Sequence, residues 1–167
     1  MKPRWLIFGI GNPSRGDDAL GPMFVAALDG FEGAVDLVLL EDFQWQIEHA
    51  LDLKGVEAAL FVDASLTAAP PFEITPLRPQ ADAACTTHAL SPAALLAVAQ
   101  RLGQSLPPAA LLALPGETFD LGAPLSAQGR AGLEAALAVV REAAAVGEFE
   151  MIAGGAVIVL PGPFALE

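Results

Sequence analysis

The sequence predicts an α/β domain: a mostly parallel sheet of about five strands with helices over both faces. Apolar runs of five or six residues alternate along the chain with stretches of helical periodicity. The runs are almost wholly apolar rather than alternating in polarity, as strands covered on both faces must be. The first run breaks at a glycine turn, which leads into paired acids and a helix start: the strand–loop–helix unit from which such sheets are built.

Trp5–Ile10 (WLIFGI) reads as the first strand and Ala19–Leu28 as the helix after it. Val35–Leu40 is the second strand, and Trp45–Leu53 a second helix with Ile47, Ala50 and Leu51 on one face. Ala58–Val62 is the third strand, closed by Asp63. Phe72–Leu77 alternates in polarity and contains Pro76, which places it at or near an edge, because proline cannot donate to a ladder. Residues 79–87 form a loop. Ser91 before Pro92 marks a helix start: the serine oxygen accepts a free backbone N–H, and proline at the first helical position lacks only an N–H that would have no partner. That helix runs to about Leu102. Ala109–Leu114 is the fifth strand, and an alanine-rich helix spans Ser126 to about Val146, with Gly147 as its C-terminal stop. Ala156–Leu160 could add a strand.

A chain of 167 residues is expected to form a single domain, 1–167, with 151–167 a loosely packed tail or an extra strand. Twenty acidic against eight basic residues give a formal charge of −12, which disfavours nucleic acid and anionic membranes as partners. The longest apolar stretch, Ala153–Leu166, is broken by Gly154, Gly155, Pro161, Gly162 and Pro163, and falls short of the roughly 20 residues a membrane span needs. The lone Cys85 cannot form an internal disulfide, and MKPRW leads into a strand without a signal-peptide pattern, so a cytoplasmic setting is expected.

The first loop invites comparison with phosphate cradles. Gly11 and Gly16 have P-loop spacing, but the next two positions, lysine and a hydroxyl residue in a P-loop, are Asp17 and Asp18. The dinucleotide fingerprint fails too, since its third glycine falls on Ser14. Anion in place of cation suits a metal or a positive group. Either acid could instead simply cap the helix. Asp63 leaves the third strand at the same sheet edge if the strands run parallel, and His88 precedes the Ser91 helix. Two carboxylates and an imidazole from successive strand ends make a plausible open site for a divalent transition metal. Cys85 and His88 could form a nucleophile–base pair, but no orienting third group is evident. His49, after Glu48, reads as a solvent-facing helix residue without a role.

GIGNPSRGDDALGP, VDAS and THALSP, in that order, resemble the hydrogenase maturation protease family, endopeptidases that trim the large subunit of nickel–iron hydrogenases. The resemblance covers most of residues 5–125, and EDFQWQIEHALDL resembles the branch serving soluble, NAD-coupled hydrogenases. It implies a three-layer α/β/α sandwich with a central, mostly parallel sheet. It also implies metal contacts at Asp18, Asp63 and His88. Nickel would be carried by the substrate, a large-subunit precursor, although the isolated site could take zinc or cadmium. Many relatives have glutamate where Asp18 stands. Many have an Asp-Gly-Gly-Thr turn where this chain has Glu41-Asp42-Phe43-Gln44, so the family's aspartate is expected at Asp42, with Gln44 lining the site. Asp17 or Asp42 would be the general base, and the protein would act as a monomer. A non-catalytic nickel-binding accessory protein is the alternative reading, and a nucleotide-binding module a third, which the paired acids disfavour.

Overall fold

The computed structural model describes residues 1–81 and 90–153. Five strands form one sheet: β1 (Arg4–Ile10), β2 (Asp36–Asp42), β3 (Ala58–Ser65), β4 (Glu73–Leu77) and β5 (Ala109–Pro115), in the spatial order β2-β1-β3-β5-β4. The first four in that order are parallel, and β4 alone runs antiparallel, at the edge Pro76 predicts. The helices are α1 (Leu20–Ala27), α2 (Pro92–Arg101), α3 (Ala127–Val146) and a short α4 (Glu150–Ala153), joined by 3₁₀ segments Gly16–Ala19 and Ile47–Leu53.

The period of two along each strand divides the core in half. Trp5 and Ile7 of β1, with Leu60 and Val62 of β3, face a layer containing Phe24 of α1 and Leu137 and Val140 of α3. Leu6, Phe8 and Ile10, with Ala59 and Phe61, face the opposite layer, where Ala50, Leu53, Leu95 and Leu96 lie. Phe8, Phe24, Phe61 and Phe72 are completely buried, each stabilising the fold by about 1.5–3 kcal/mol relative to an exposed ring. This is the α/β/α sandwich expected, with helices on both faces.

The helix after β2 differs from expectation. It is 3₁₀ rather than α, and Ala50 and Leu53 are its buried residues. Ile47 and Leu51, predicted beside Ala50, are instead 60% and 61% exposed. β2 and β3 run further than the apolar pattern shows, through Asp42 and Ser65, because ladder pairing continues past the last apolar residue at the C-terminal edge. Ser91 and Ser126 cap α2 and α3, each oxygen accepting the N–H three residues on, from Ala94 and Gly129. Gly147 closes α3 in the left-handed conformation, φ 80°. The segments 82–89, with Cys85 and His88, and 154–167, with the expected strand at Ala156–Leu160, lie outside the described residues.

Candidate functional site

The C-terminal ends of β1, β2 and β3 set the spacing of the site. Ile10 pairs with Asp42 across β1–β2, and Gly9 pairs with Val62 across β1–β3, so the next step brings Asp63 level with Ile10. Asp42 and Asp63 therefore stand on one row, on the face of Phe8 and Phe61, their backbones about 10 Å apart across two strand spacings. The glycine loop crosses above them.

Gly11 turns that loop at φ 142°, where a Cβ would collide with the carbonyl oxygen of Asp18. Its N–H donates to the Asp42 carbonyl at 3.1 Å, which ties the loop to β2. Asn12 then donates its N–H to Oδ2 of Asp18 at 2.9 Å, while its own Oδ1 accepts from Ser14 N–H at 2.9 Å. Asp18 is thus held under the loop it follows. Gly9 and Gly21 allow β1 and α1 to touch through their backbones, since a Cβ on either would collide with the other segment.

The two acids of the pair have different environments. Asp17 is completely buried. Its Oδ2 accepts the N–H of Glu117 at 2.7 Å and of Thr118 at 3.1 Å, and its Oδ1 accepts that of Ser126 at 2.8 Å. Burial pushes its pKa up, but these donors outweigh it and hold the carboxyl below its usual 3.8. Asp17 neither caps its own 3₁₀ turn nor faces solvent. Both oxygens are engaged in tying the first loop to residues 117–126, a structural role where sequence reading offered a general base. Asp17 N–H to Thr118 O at 2.7 Å, Gly122 N–H to Ser14 O at 2.7 Å and Arg15 Nε to Phe119 O at 3.2 Å complete the tie.

Asp63 is half-buried, and desolvation pushes its carboxyl up to about 7, with the nearby charge of Asp18 adding to the rise against a backbone N–H from Ala64. The structure therefore brings together two of the expected metal contacts, Asp18 and Asp63. The third, His88, lies outside the described residues, among which no cluster of three or more His, Cys, Asp or Glu side chains is placed to hold a metal. Two carboxyl groups at one sheet edge offer oxygen donors of the kind a divalent cation takes.

Beside this pair lies a cleft of about 180 Å³ lined by Gly11, Pro13, Pro22, Glu41, Asp42 and Phe43. Gln44, expected to line the site, is exposed and does not line this cleft. Phe43 stands 68% exposed at its lip. Asp42 Oδ1 accepts the Phe43 N–H at 2.7 Å, and Oδ2 lies 3.2 Å from Nε2 of His49.

His49 corrects the sequence reading most sharply. Its side chain is 13% exposed rather than solvent-facing, and its ring packs against Phe8 at 4.6 Å in a T-shaped contact. The signal was present as Gln46-x-x-His49, the spacing at which the side chain of a helix's third residue reaches back to the backbone N–H of the residue that caps it.

No protein-family model and no curated protein matches the chain. Solved structures do. A [NiFe] hydrogenase maturation protease, HycI, from Thermococcus kodakarensis KOD1 is similar at 24% identity and TM-score 0.65, covering 84% of this chain and 92% of its own. The hydrogenase maturating endopeptidase HybD from E. coli follows at 24% identity and TM-score 0.61, over 82% of this chain and 89% of its own. A hydrogenase 2 maturation peptidase from a Thaumarchaeota archaeon shares 25% identity at TM-score 0.58, over 85% of this chain and 97% of its own. This chain carries the three-layer α/β/α fold of these hydrogenase maturation proteases.

Proposed function

We propose that this chain is an endopeptidase that removes a C-terminal extension from a nickel–iron hydrogenase large-subunit precursor once nickel is in place. What supports it best is the fold shared with maturation proteases, with Asp42 and Asp63 on one row at the C-terminal edge of the sheet and Asp18 in the loop after β1. The nickel is part of the substrate. Held by substrate ligands, it would dock on Asp18 and Asp63, with His88 added on the strength of its THALSP motif, and would polarise the scissile carbonyl or a water. Cleavage would then depend on metal insertion, because an empty precursor lacks the group these residues bind.

Asp42 is the better-placed general base. It lines the cleft and is 31% exposed, whereas Asp17 has both oxygens taken and no exposure. Its carboxylate would take a proton from the attacking water while Phe43 at the lip contacts the apolar part of the substrate chain. The same proposal makes the protein a cytoplasmic monomer, in keeping with its lone cysteine and strongly acidic surface. No helix among the described residues is long and apolar enough to cross a membrane.

The deciding experiment is incubation with nickel-loaded and nickel-free large-subunit precursor, followed by mass spectrometry of the products. Loss of a C-terminal peptide from the loaded form alone is the expected result, abolished in Asp18→Ala and Asp63→Ala. Tight nickel binding with no cleavage of either precursor would replace the protease by a metal-binding accessory protein.

A further inference from the structure

We propose that His49 is a positioning residue: a neutral imidazole, fixed with its proton on Nε2, that aims the Asp42 carboxylate into the cleft. The inference rests on the reading of Asp42 as the base. Four contacts support it. The backbone N–H of Gln46 points at Nδ1 of His49 at 2.8 Å, and because a backbone N–H can only donate, Nδ1 must carry the lone pair. The single proton of the neutral ring is then on Nε2, which lies 3.2 Å from Asp42 Oδ2. The Phe43 N–H holds the other carboxylate oxygen at 2.7 Å, so two donors on two sides fix the plane of the carboxylate. Phe8, completely buried, packs against the imidazole at 4.6 Å with the two rings at 85°.

Each oxygen of Asp42 keeps a lone pair beyond these donors, and Asp42 lines the cleft with Gly11, Pro13 and Pro22. A base held this way meets its proton without first choosing a rotamer, and misplacement by about 1 Å can cost a hundredfold in rate. The arrangement also couples the second 3₁₀ helix to the chemistry: the helix start at Gln46 sets the ring, and the ring sets the carboxylate.

Two substitutions separate this role from a merely structural one. In His49→Asn the amide oxygen can still accept the Gln46 N–H, but nothing reaches Asp42. In His49→Gln the longer amide can still donate to Asp42. With nickel-loaded precursor, kcat is expected to fall by about tenfold to a hundredfold in His49→Asn, at unchanged KM and melting temperature, and to recover largely in His49→Gln. Wild-type kcat in a folded His49→Asn would overturn the proposal. A second measurement is independent of cleavage: ¹⁵N chemical shifts of the imidazole in the labelled full chain at pH 8. The Nε2–H tautomer, with an Nε2 resonance that moves in Asp42→Asn, is the expected result. An Nδ1–H tautomer, or no response to Asp42→Asn, would refute the orientation even if the wild-type protein cleaved no precursor, an outcome that would instead sink the protease reading.

Discussion

Asp17 and Ser126 lie 109 residues apart in the chain, and the serine's N–H donates to the aspartate's carboxylate at 2.8 Å. With Glu117 and Thr118 supplying the other donors, this fully buried anion joins the loop after β1 to the loop after β5 and to the start of α3. Removing it takes the carboxylate partner from three part-buried backbone N–H groups.

Asp17→Ala is therefore expected to destabilise the fold by about 3–5 kcal/mol in urea denaturation at pH 7. The sign with pH follows from a folded pKa below 3.8: the stabilisation is complete above that value and is lost as pH falls through the lower, folded one. The gap between wild type and Asp17→Ala should narrow at pH 3. An equal gap at both pH values would argue against the ionised, hydrogen-bonded anion.

Asp63 behaves in the opposite sense. Its folded pKa of about 7 lies above the unfolded 3.8, so the folded state retains a proton the unfolded state has lost, and stability declines as pH rises from about 4 to about 7. Asp63→Asn mimics the protonated form. It should match wild type at pH 3.5 and exceed it by about 1–3 kcal/mol at pH 8, less than the full pKa shift converts to because the carboxyl is only half-buried. Thermal melts of both proteins across this range provide the check. Because a carboxyl must shed its proton to bind a cation, nickel affinity of the isolated protein should also rise through pH 7.

Phe43 is a large apolar ring exposed at the cleft, with its backbone N–H donating to the Asp42 carboxylate. Phe43→Ala keeps that N–H. Its expected effect is a several-fold higher KM for precursor with kcat preserved, in line with about 1–2 kcal/mol of lost apolar contact. A matching fall in kcat would show that the ring acts on the transition state instead.

Gly11 has a backbone at φ 142° and a neighbour, the Asp18 carbonyl, where a side chain would begin. Gly11→Ala must move the loop. A loss of about 2 kcal/mol or more is expected, together with weaker metal binding, since Asn12 holds Asp18 through the same turn. Unchanged stability would mean that the loop has freedom its hydrogen bonds do not suggest.

The sheet was legible because continuous apolar runs such as Trp5–Ile10 and Ala58–Val62 allow few other readings, and Pro76 marked the edge strand. Asp63 was legible as a strand-end acid for the same reason. The division of labour between Asp17 and Asp18 was not, because the donors to Asp17 are backbone N–H groups of residues 117, 118 and 126, and a backbone N–H leaves no mark in a sequence. His49 was missed because its contacts, Asp42 on β2 and Phe8 on β1, come from segments outside its own helix, and periodicity within the segment does not show them.

The two borders of the sheet have a consequence for how a second polypeptide can approach. On one side β4 is short and carries Pro76, and on the other β2 begins and ends in Asp36, Glu41 and Asp42. Proline and clustered negative charge both discourage another chain from hydrogen-bonding alongside as an added strand. Among the described residues, a polypeptide that meets this molecule is thus turned away from lateral zippering at either border, which protects against fibrous self-association.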